Sequence, residues 1–249
     1  MPTFKDHFST RSAQYAAHRP SYPRELANFL ADVAPARELA LDCGCGNGQL
    51  STLLADRFAR VVAIDASSEQ IAHAAPHDRV EYRVAPAEHN GLADGCADLI
   101  TTAQAVHWFD LDAFYAEVRR VARPRGVLAL VTYGVLRLED EACDRLLWRF
   151  YAEDVDRFWP PERRIVEDGY RSLPFPFAEI AAPQLAIEAS WNLDAVVGYV
   201  STWSAVKAAA NTLGRDPSDN LRDELAQLWG AAVSRRRVRW PLALRVGRL

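Results

Sequence analysis

The chain has little of what would tie it to the outside of the cell, to a metal or to a nucleic acid. Its four cysteines, Cys43, Cys45, Cys96 and Cys143, are too few and too scattered for a disulfide-stapled fold. No Cys-x-x-Cys pair or Cys/His spacing offers a zinc site, so no metal is expected. The N-terminal MPTFKDHFSTRSAQY carries charges where a signal peptide needs an apolar stretch. The longest uncharged apolar runs, near Leu99–Phe109 and Gly126–Leu136, fall well short of the ~20 residues that span a bilayer. These absences predict a cytoplasmic protein with no membrane partner. A basic surplus is missing too: the formal net charge is −4, which argues against a nucleic-acid partner. The one local cluster, Ser234 to Arg239 (SRRRVR), lacks interleaved aromatics and reads as a solvated turn and strand face.

What is present is an ordinary globular composition, 49% hydrophobic and 25% charged over 249 residues, without repeats or low-complexity tracts. Apolar periodicity predicts a helix over Pro23–Val33, a buried strand in ELALDCG and a helix over Gln49–Phe58. It continues with a strand in RVVAID ending at Asp65, a helix over Ser67–Ala75 and strands at Val80–Val84 and Asp98–Ala103. A helix over Leu111–Ala122 and a strand at Val127–Thr132 complete the pattern. Strands alternating with helices need crossover connections, so residues 23–134 read as a doubly wound α/β sheet, parallel with helices on both faces.

After Gly134 the character changes. Residues 135–182 combine an amphipathic helix with Phe150, Tyr151, Phe158, Trp159, Tyr170, Phe175 and Phe177, punctuated by prolines. So much aromatic area is unlike a linker and predicts an insertion walling a pocket. Residues 183–249 add a strand in LAIEASW, helices over Leu193–Ala210 and Leu221–Ala232, and a closing strand, VRWPLALRVG, which Pro241 would place at an edge or bulge. The chain is thus expected to be one domain over 1–249, with 1–22 as a segment covering the site.

The functional signal is LDCGCGNGQL, Leu41–Leu50, where a strand meets a helix. A dinucleotide loop wants Gly-x-Gly-x-x-Gly, and here Gln49 stands where the third glycine belongs. Asp42 beside Gly44, Gly46 and Gly48 repels a pyrophosphate and attracts an ammonium. Asp65, at the end of the next strand, can accept the hydroxyls of a ribose. A ribose, no phosphate at the turn and a cationic amino-acid end together describe S-adenosylmethionine.

The segment Asp42-Cys43-Gly44-Cys45-Gly46-Asn47-Gly48 closely resembles the first motif of the class I S-adenosylmethionine-dependent methyltransferases. APAEHNGLADGCADLITTAQAVHWF is similar to the family's adenine-side loop and fourth strand. FSTRSAQYAAHRPSYP, AVHWF and WPLALRVGR resemble the subgroup that includes trans-aconitate methyltransferase. The resemblance implies a seven-stranded, mostly parallel Rossmann-like sheet with an antiparallel last strand. It implies cofactor contacts from Asp42, Gly44, Cys45, Gly46, Gly48, Asp65, Ala66, Ala87, Glu88 and Gln104, with Tyr15 and Arg19 closing over the site.

A sulfonium methyl is already electrophilic, so the protein has mainly to align an acceptor and exclude water. An ionised carboxylate acceptor needs only orientation, whereas a hydroxyl or carbon acid needs a proton removed. His107 is the candidate base; the alternative is that HWF is a structural cap. A carboxylate would call for arginine, offered by Arg157, Arg163, Arg164 and Arg171. The expected function is methyl transfer to a small-molecule acceptor such as a carboxylic acid, by a monomer or homodimer. The alternatives are an RNA or protein methyltransferase and a non-catalytic nucleotide-binding protein.

Overall fold

A computed structural model describes residues 21–249. Tyr15 and Arg19 lie outside the described residues. The first half alternates as expected: α1 (Arg24–Val33), β1 (Leu39–Cys43), α2 (Gln49–Ala55), β2 (Arg60–Asp65), α3 (Ser68–Ala72), β3 (Val80–Val84), β4 (Ala97–Ala103), α4 (Leu111–Val121) and β5 (Ala122–Tyr133). β1 pairs in parallel with β2 and β4, β2 with β3, and β4 with β5. Alternation along β5 shows why both faces are apolar. Val127, Ala129 and Val131 pack under Leu26 and Leu30 of α1 and Leu54 of α2, while Leu128 and Leu130 pack against Phe114 and Val118 of α4.

The remainder comprises β6 (Arg137–Leu138), α5 (Glu141–Arg149), a π-turn at Phe150–Asp154, α6 (Arg163–Glu167), β7 (Ala178–Ile180), β8 (Ala186–Trp191), α7 (Leu193–Val200), α8 (Ser204–Leu213), α9 (Ser218–Trp229) and β9 (Arg236–Arg248). β9 runs antiparallel to both β5 and β7, giving seven strands in the order β3-β2-β1-β4-β5-β9-β7. The total is nine rather than seven because β6 and β8 pair with the first half of β9.

Two expectations need correction. β9 is interior, not an edge, and Pro241 sits where its neighbours change. Leu242 N donates to Leu185 O at 2.9 Å, so the preceding nitrogen faces the opposite side. There the pairing with β6 ends at Arg239 and that with β5 begins at Leu242, leaving no ladder bond for Pro241 to break. The single helix expected over Leu193–Ala210 is two. Ser201 Oγ and Thr202 Oγ1 donate to the carbonyls of Gly198 and Tyr199, and Trp203 takes extended backbone.

The insertion does not stand alone. Cys143, Leu147, Phe150 and Val155 share one buried cluster with Val196, Val200, Leu221, Leu225 and Trp229, closed underneath by Val238 and Trp240 of β9. Strand β9 therefore serves both the main sheet and this helical body. The Arg235–Arg239 run is absorbed structurally: Arg236 pairs with Asp140, and Arg237 and Arg239 with Glu188.

Candidate active site

Three alternate residues of the loop after β1 adopt left-handed backbone, Gly44 at φ 67°, Gly46 at 55° and Gly48 at 87°, which explains why glycine recurs at every second position. A side chain on Gly44 would meet Ala105 Cβ at 2.5 Å and Phe109 at 3.3 Å; one on Gly48 would collide with the Tyr82 hydroxyl. These two glycines let the protein close on its own loop, and what they can offer a ligand is backbone.

The loop is pinned from β2. Cys45 N donates to Ile64 O at 3.0 Å, Gly46 N to Asp65 Oδ2 at 2.8 Å, and Ser67 N to Asp65 Oδ1 at 2.9 Å. Asp65 remains partly exposed and keeps lone pairs beyond the two in use. Asp42 is 1% exposed and does not reach solvent: Ser51 Oγ donates to Oδ2 at 2.6 Å and Thr101 Oγ1 to Oδ1 at 2.9 Å. Burial raises its pKa to about 6; the two hydroxyls pull it back, and the charge of Asp65 pushes it up again. Its charge would therefore act from behind the loop. Burial, with Asp42 and Asp65 nearby, holds the Cys45 thiol well above its usual range and leaves it inert. Asn47 Oδ1, also in this loop, is buried with no partner among the described residues.

Ala66 is exposed beside Asp65, and Ala87 is buried. Glu88 Oε1 accepts from Asp110 N at 2.9 Å, tying the loop after β3 to the start of α4. Gln104 follows β4 with φ 57°, uncommon for a side-chain-bearing residue. Its Nε2 donates to Tyr133 O at 2.9 Å, and its Oε1 accepts from Thr132 Oγ1 at 3.0 Å. His107 lies on the short 3₁₀ turn Val106–Trp108, brought against the glycine loop by the Ala105 and Phe109 contacts with Gly44. Its Nδ1 is 2.9 Å from the Tyr170 hydroxyl. Burial, with the Arg163 guanidinium adding to it, lowers its pKa to about 4, so the ring is neutral at pH 7.

The insertion supplies the rest. The π-turn carries Tyr151, whose ring lies 5.1 Å from that of Trp159 and 5.6 Å from that of Trp203. Arg163 lies over Tyr151 (5.2 Å) and Trp159 (4.8 Å), and its Nε donates to the Tyr151 hydroxyl at 2.6 Å. Its side chain is 19% exposed, with Glu167 3.7 Å from Nε. Arg157 and Arg164 are exposed, and Arg171 is exposed and bonded to the carbonyl of Asp168. Arg157 lies 4.7 Å over the ring of Phe158, and of the four arginines Arg163 is the one that lies over Tyr151 and Trp159. Sequence reasoning missed Thr132 and Asp98. Asp98 is a buried acid accepting from Glu38 N, Leu39 N and Arg123, and a charged residue heading an apolar strand was its signal.

A parallel sheet with an antiparallel β9, and an acid at the end of β2 that holds a Gly-x-Gly-x-Gly loop after β1, define a class I S-adenosylmethionine-dependent methyltransferase. Residues 41–130 match the model of the methyltransferase domain family. A protein of Dictyostelium discoideum named as a methyltransferase is 32% identical over 229 residues, 91% of this chain and 87% of that one. An uncharacterized methyltransferase of Mycobacterium tuberculosis is 32% identical over 222 residues, 88% of this chain and 85% of that one. A solved structure described as a type II methyltransferase from Anaeromyxobacter dehalogenans superposes with a TM-score of 0.89 at 52% identity, covering 92% of this chain and 97% of that one.

The chain belongs to this methyltransferase family, and its cofactor is S-adenosylmethionine. The residues present fit that group: the orphan Asn47 Oδ1 is a buried acceptor in the loop, and Asp42 adds a negative charge suited to a cationic ligand. When bound, S-adenosylmethionine supplies an electrophilic methyl on a cationic sulfur. Among the described residues no helix is long and apolar enough to cross a membrane, and no cluster of His, Cys, Asp and Glu could hold a metal.

Proposed function

We propose that the protein methylates a small molecule that carries a carboxylic acid group. Asp42, the loop from Gly44 through Cys45 and Gly46 to Gly48, Asp65, Ala66, Ala87, Glu88 and Gln104 form the cofactor half. The observation that carries the acceptor half is Arg163. Its guanidinium lies against two aromatic rings, with Nε engaged by Tyr151 and no hydrogen-bond partner for its Nη atoms among the described residues. A fixed fork with free donors suits the bidentate grip of a carboxylate, and the flanking rings suit an apolar body. A polynucleotide acceptor has less support, because the one basic run is spent on ion pairs.

The test is transfer of labelled methyl from S-adenosylmethionine to a panel of small carboxylic acids and their amides. Acids should be methylated and amides not. Arg163→Gln should raise KM about 10- to 100-fold, the worth of a charge-assisted pair, with kcat less affected. Equal turnover of acids and amides, or an unchanged KM in the variant, would remove the carboxylate assignment.

A further inference from the structure

The Tyr151 hydroxyl stands between two residues of one short helix, and the direction of its two hydrogen bonds follows from the groups themselves. On α6, Arg163 and Glu167 are four residues apart and share a face. Arg163 Nε donates to the Tyr151 hydroxyl at 2.6 Å, and the hydroxyl donates its own proton to Glu167 Oε1. A guanidinium has donors only and an ionised carboxylate acceptors only, so neither bond can run the other way. Burial holds the Tyr151 pKa well above its usual value, which keeps the phenolic proton in place for Glu167. Glu167 is the one acid within 4 Å of Arg163 among the described residues, and it stops at 3.7 Å from Nε.

Tyr151 is placed there by the π-turn. Val155 N reaches back five residues to Phe150 O at 3.2 Å, and in this wider turn the consecutive residues Phe150 and Tyr151 are both buried. Trp159 Nε1 donates to the Tyr151 carbonyl at 3.3 Å, and the Trp159 and Trp203 rings pack against the phenol. The phenol cannot swing aside without unpacking them. An arginine grips a carboxylate either side-on, through Nε and one Nη, or end-on, through both Nη groups. With Nε committed to Tyr151, the side-on grip is closed to Glu167 and the end-on grip stays open.

We infer that Tyr151 is a positioning residue that holds Arg163 apart from Glu167 and so keeps both Nη groups for the acceptor. This rests on the carboxylate reading of Arg163 and deepens it: selectivity for an acid depends on a phenol that acts through the arginine. Without the hydroxyl, the Glu167 carboxylate has only about 1 Å to close before it reaches the length of a charge-assisted hydrogen bond. It would then take Nε and one Nη of Arg163 and compete with the acceptor for the same charge. The acid that steadies Tyr151 in the wild type thus becomes a rival to the acceptor once the hydroxyl is gone.

The experiment is NMR of the arginine side chains in nitrogen-15-labelled protein, without cofactor or acceptor, with the Arg163 signals assigned by their loss in Arg163→Gln. In the wild type Nε–H should be protected from exchange with water, while the Nη groups rotate and give one averaged signal. In Tyr151→Phe the Nη signal should split, because one Nη pairs with Glu167. Adding Glu167→Gln to Tyr151→Phe should restore the averaged signal, because an amide carries no charge with which to hold the guanidinium. For an acid that the wild type methylates, KM should rise about 10-fold in Tyr151→Phe, the low end for a hydrogen bond to a charged group, with kcat held. In the double variant KM should return to within about 2-fold of the wild type.

Tyr151→Phe with its Arg163 signals unchanged, or a double variant as impaired as the single one, would overturn the inference, since a packing defect is not repaired by removing the charge of Glu167. Because the Arg163 signals are read with no acceptor present, they decide the role of Tyr151 separately from the carboxylate assignment.

Discussion

Asp42 couples pH to stability with a sign opposite to that of most carboxylates, and this can be measured by replacing it with asparagine. The carboxyl is 1% exposed, and burial moves it from 3.8 to about 6 against the pull of Ser51 and Thr101. A carboxyl whose folded pKa is raised binds its proton more tightly in the folded state. Its stabilising contribution is full below pH 3.8 and is lost as pH rises through about 6. A shift of roughly 2 units corresponds to about 3 kcal/mol over the whole window, of which about 1 kcal/mol falls between pH 5 and pH 7.5. Urea unfolding of wild type and Asp42→Asn at those two pH values isolates this group, because shifts elsewhere cancel in the difference. Glu117 and Asp140, held low by their partners, and His107, also held low, contribute with the opposite sign. The wild type should gain on the variant by about 1 kcal/mol on going from pH 7.5 to pH 5. A flat difference, or a gain toward high pH, would show that the buried carboxyl is not raised. The same group must be ionised to attract a cationic ligand, so S-adenosylmethionine should bind more weakly below pH 6 in the wild type.

Two further substitutions test the framework. Gly48→Ala suffers both a left-handed backbone and the Tyr82 hydroxyl, whereas Gly91→Ala at φ 74° meets nothing within 4 Å. Chemical denaturation should give about 1 kcal/mol for Gly91→Ala and clearly more for Gly48→Ala, and equal losses would mean that the clash relaxes at no cost. Asp98→Ala leaves Glu38 N and Leu39 N without their acceptor and Arg123 without its partner, and should cost about 3–5 kcal/mol. A loss below about 1 kcal/mol would mean that water replaces the carboxylate.

The parallel half of the sheet was legible because each strand and helix is written locally, as in RVVAID and VEYRV, whose ends agree with β2 and β3. Errors came where a residue's neighbours are distant. Pro241 argues for an edge on local grounds, but the strand changes partners there and the lost N–H has nothing to bond. Leu193–Ala210 has helical spacing throughout, yet Ser201 and Thr202 end the helix by bonding their own backbone, and Trp203 turns its indole to Tyr151 and Trp159. The glycine motif predicted the loop, but not that Asp42 would be sealed beneath it. Nothing around Asp42 in the chain announces that Thr101, 59 residues away, will cap it.

The two halves of the site differ in this same respect, which explains why the cofactor could be inferred from the sequence and the acceptor could not. Asp65 reaches Gly46 across 19 residues and Ser51 reaches Asp42 across nine, both within one strand-helix-strand unit whose geometry is repeated wherever the unit occurs. Where the insertion meets the sheet, His107 meets Tyr170 across 63 residues, and within the sheet Gln104 meets Thr132 across 28. Arg163 meets Tyr151 across 12, but the orientation of that pair depends on Trp159 and Trp203 from either side. Such contacts exist only once the insertion has packed on the sheet, so no short motif can encode them. On the proposed reading of Arg163, the acceptor can accordingly change by moving that side chain while the loop from Asp42 to Gly48 stays as it is.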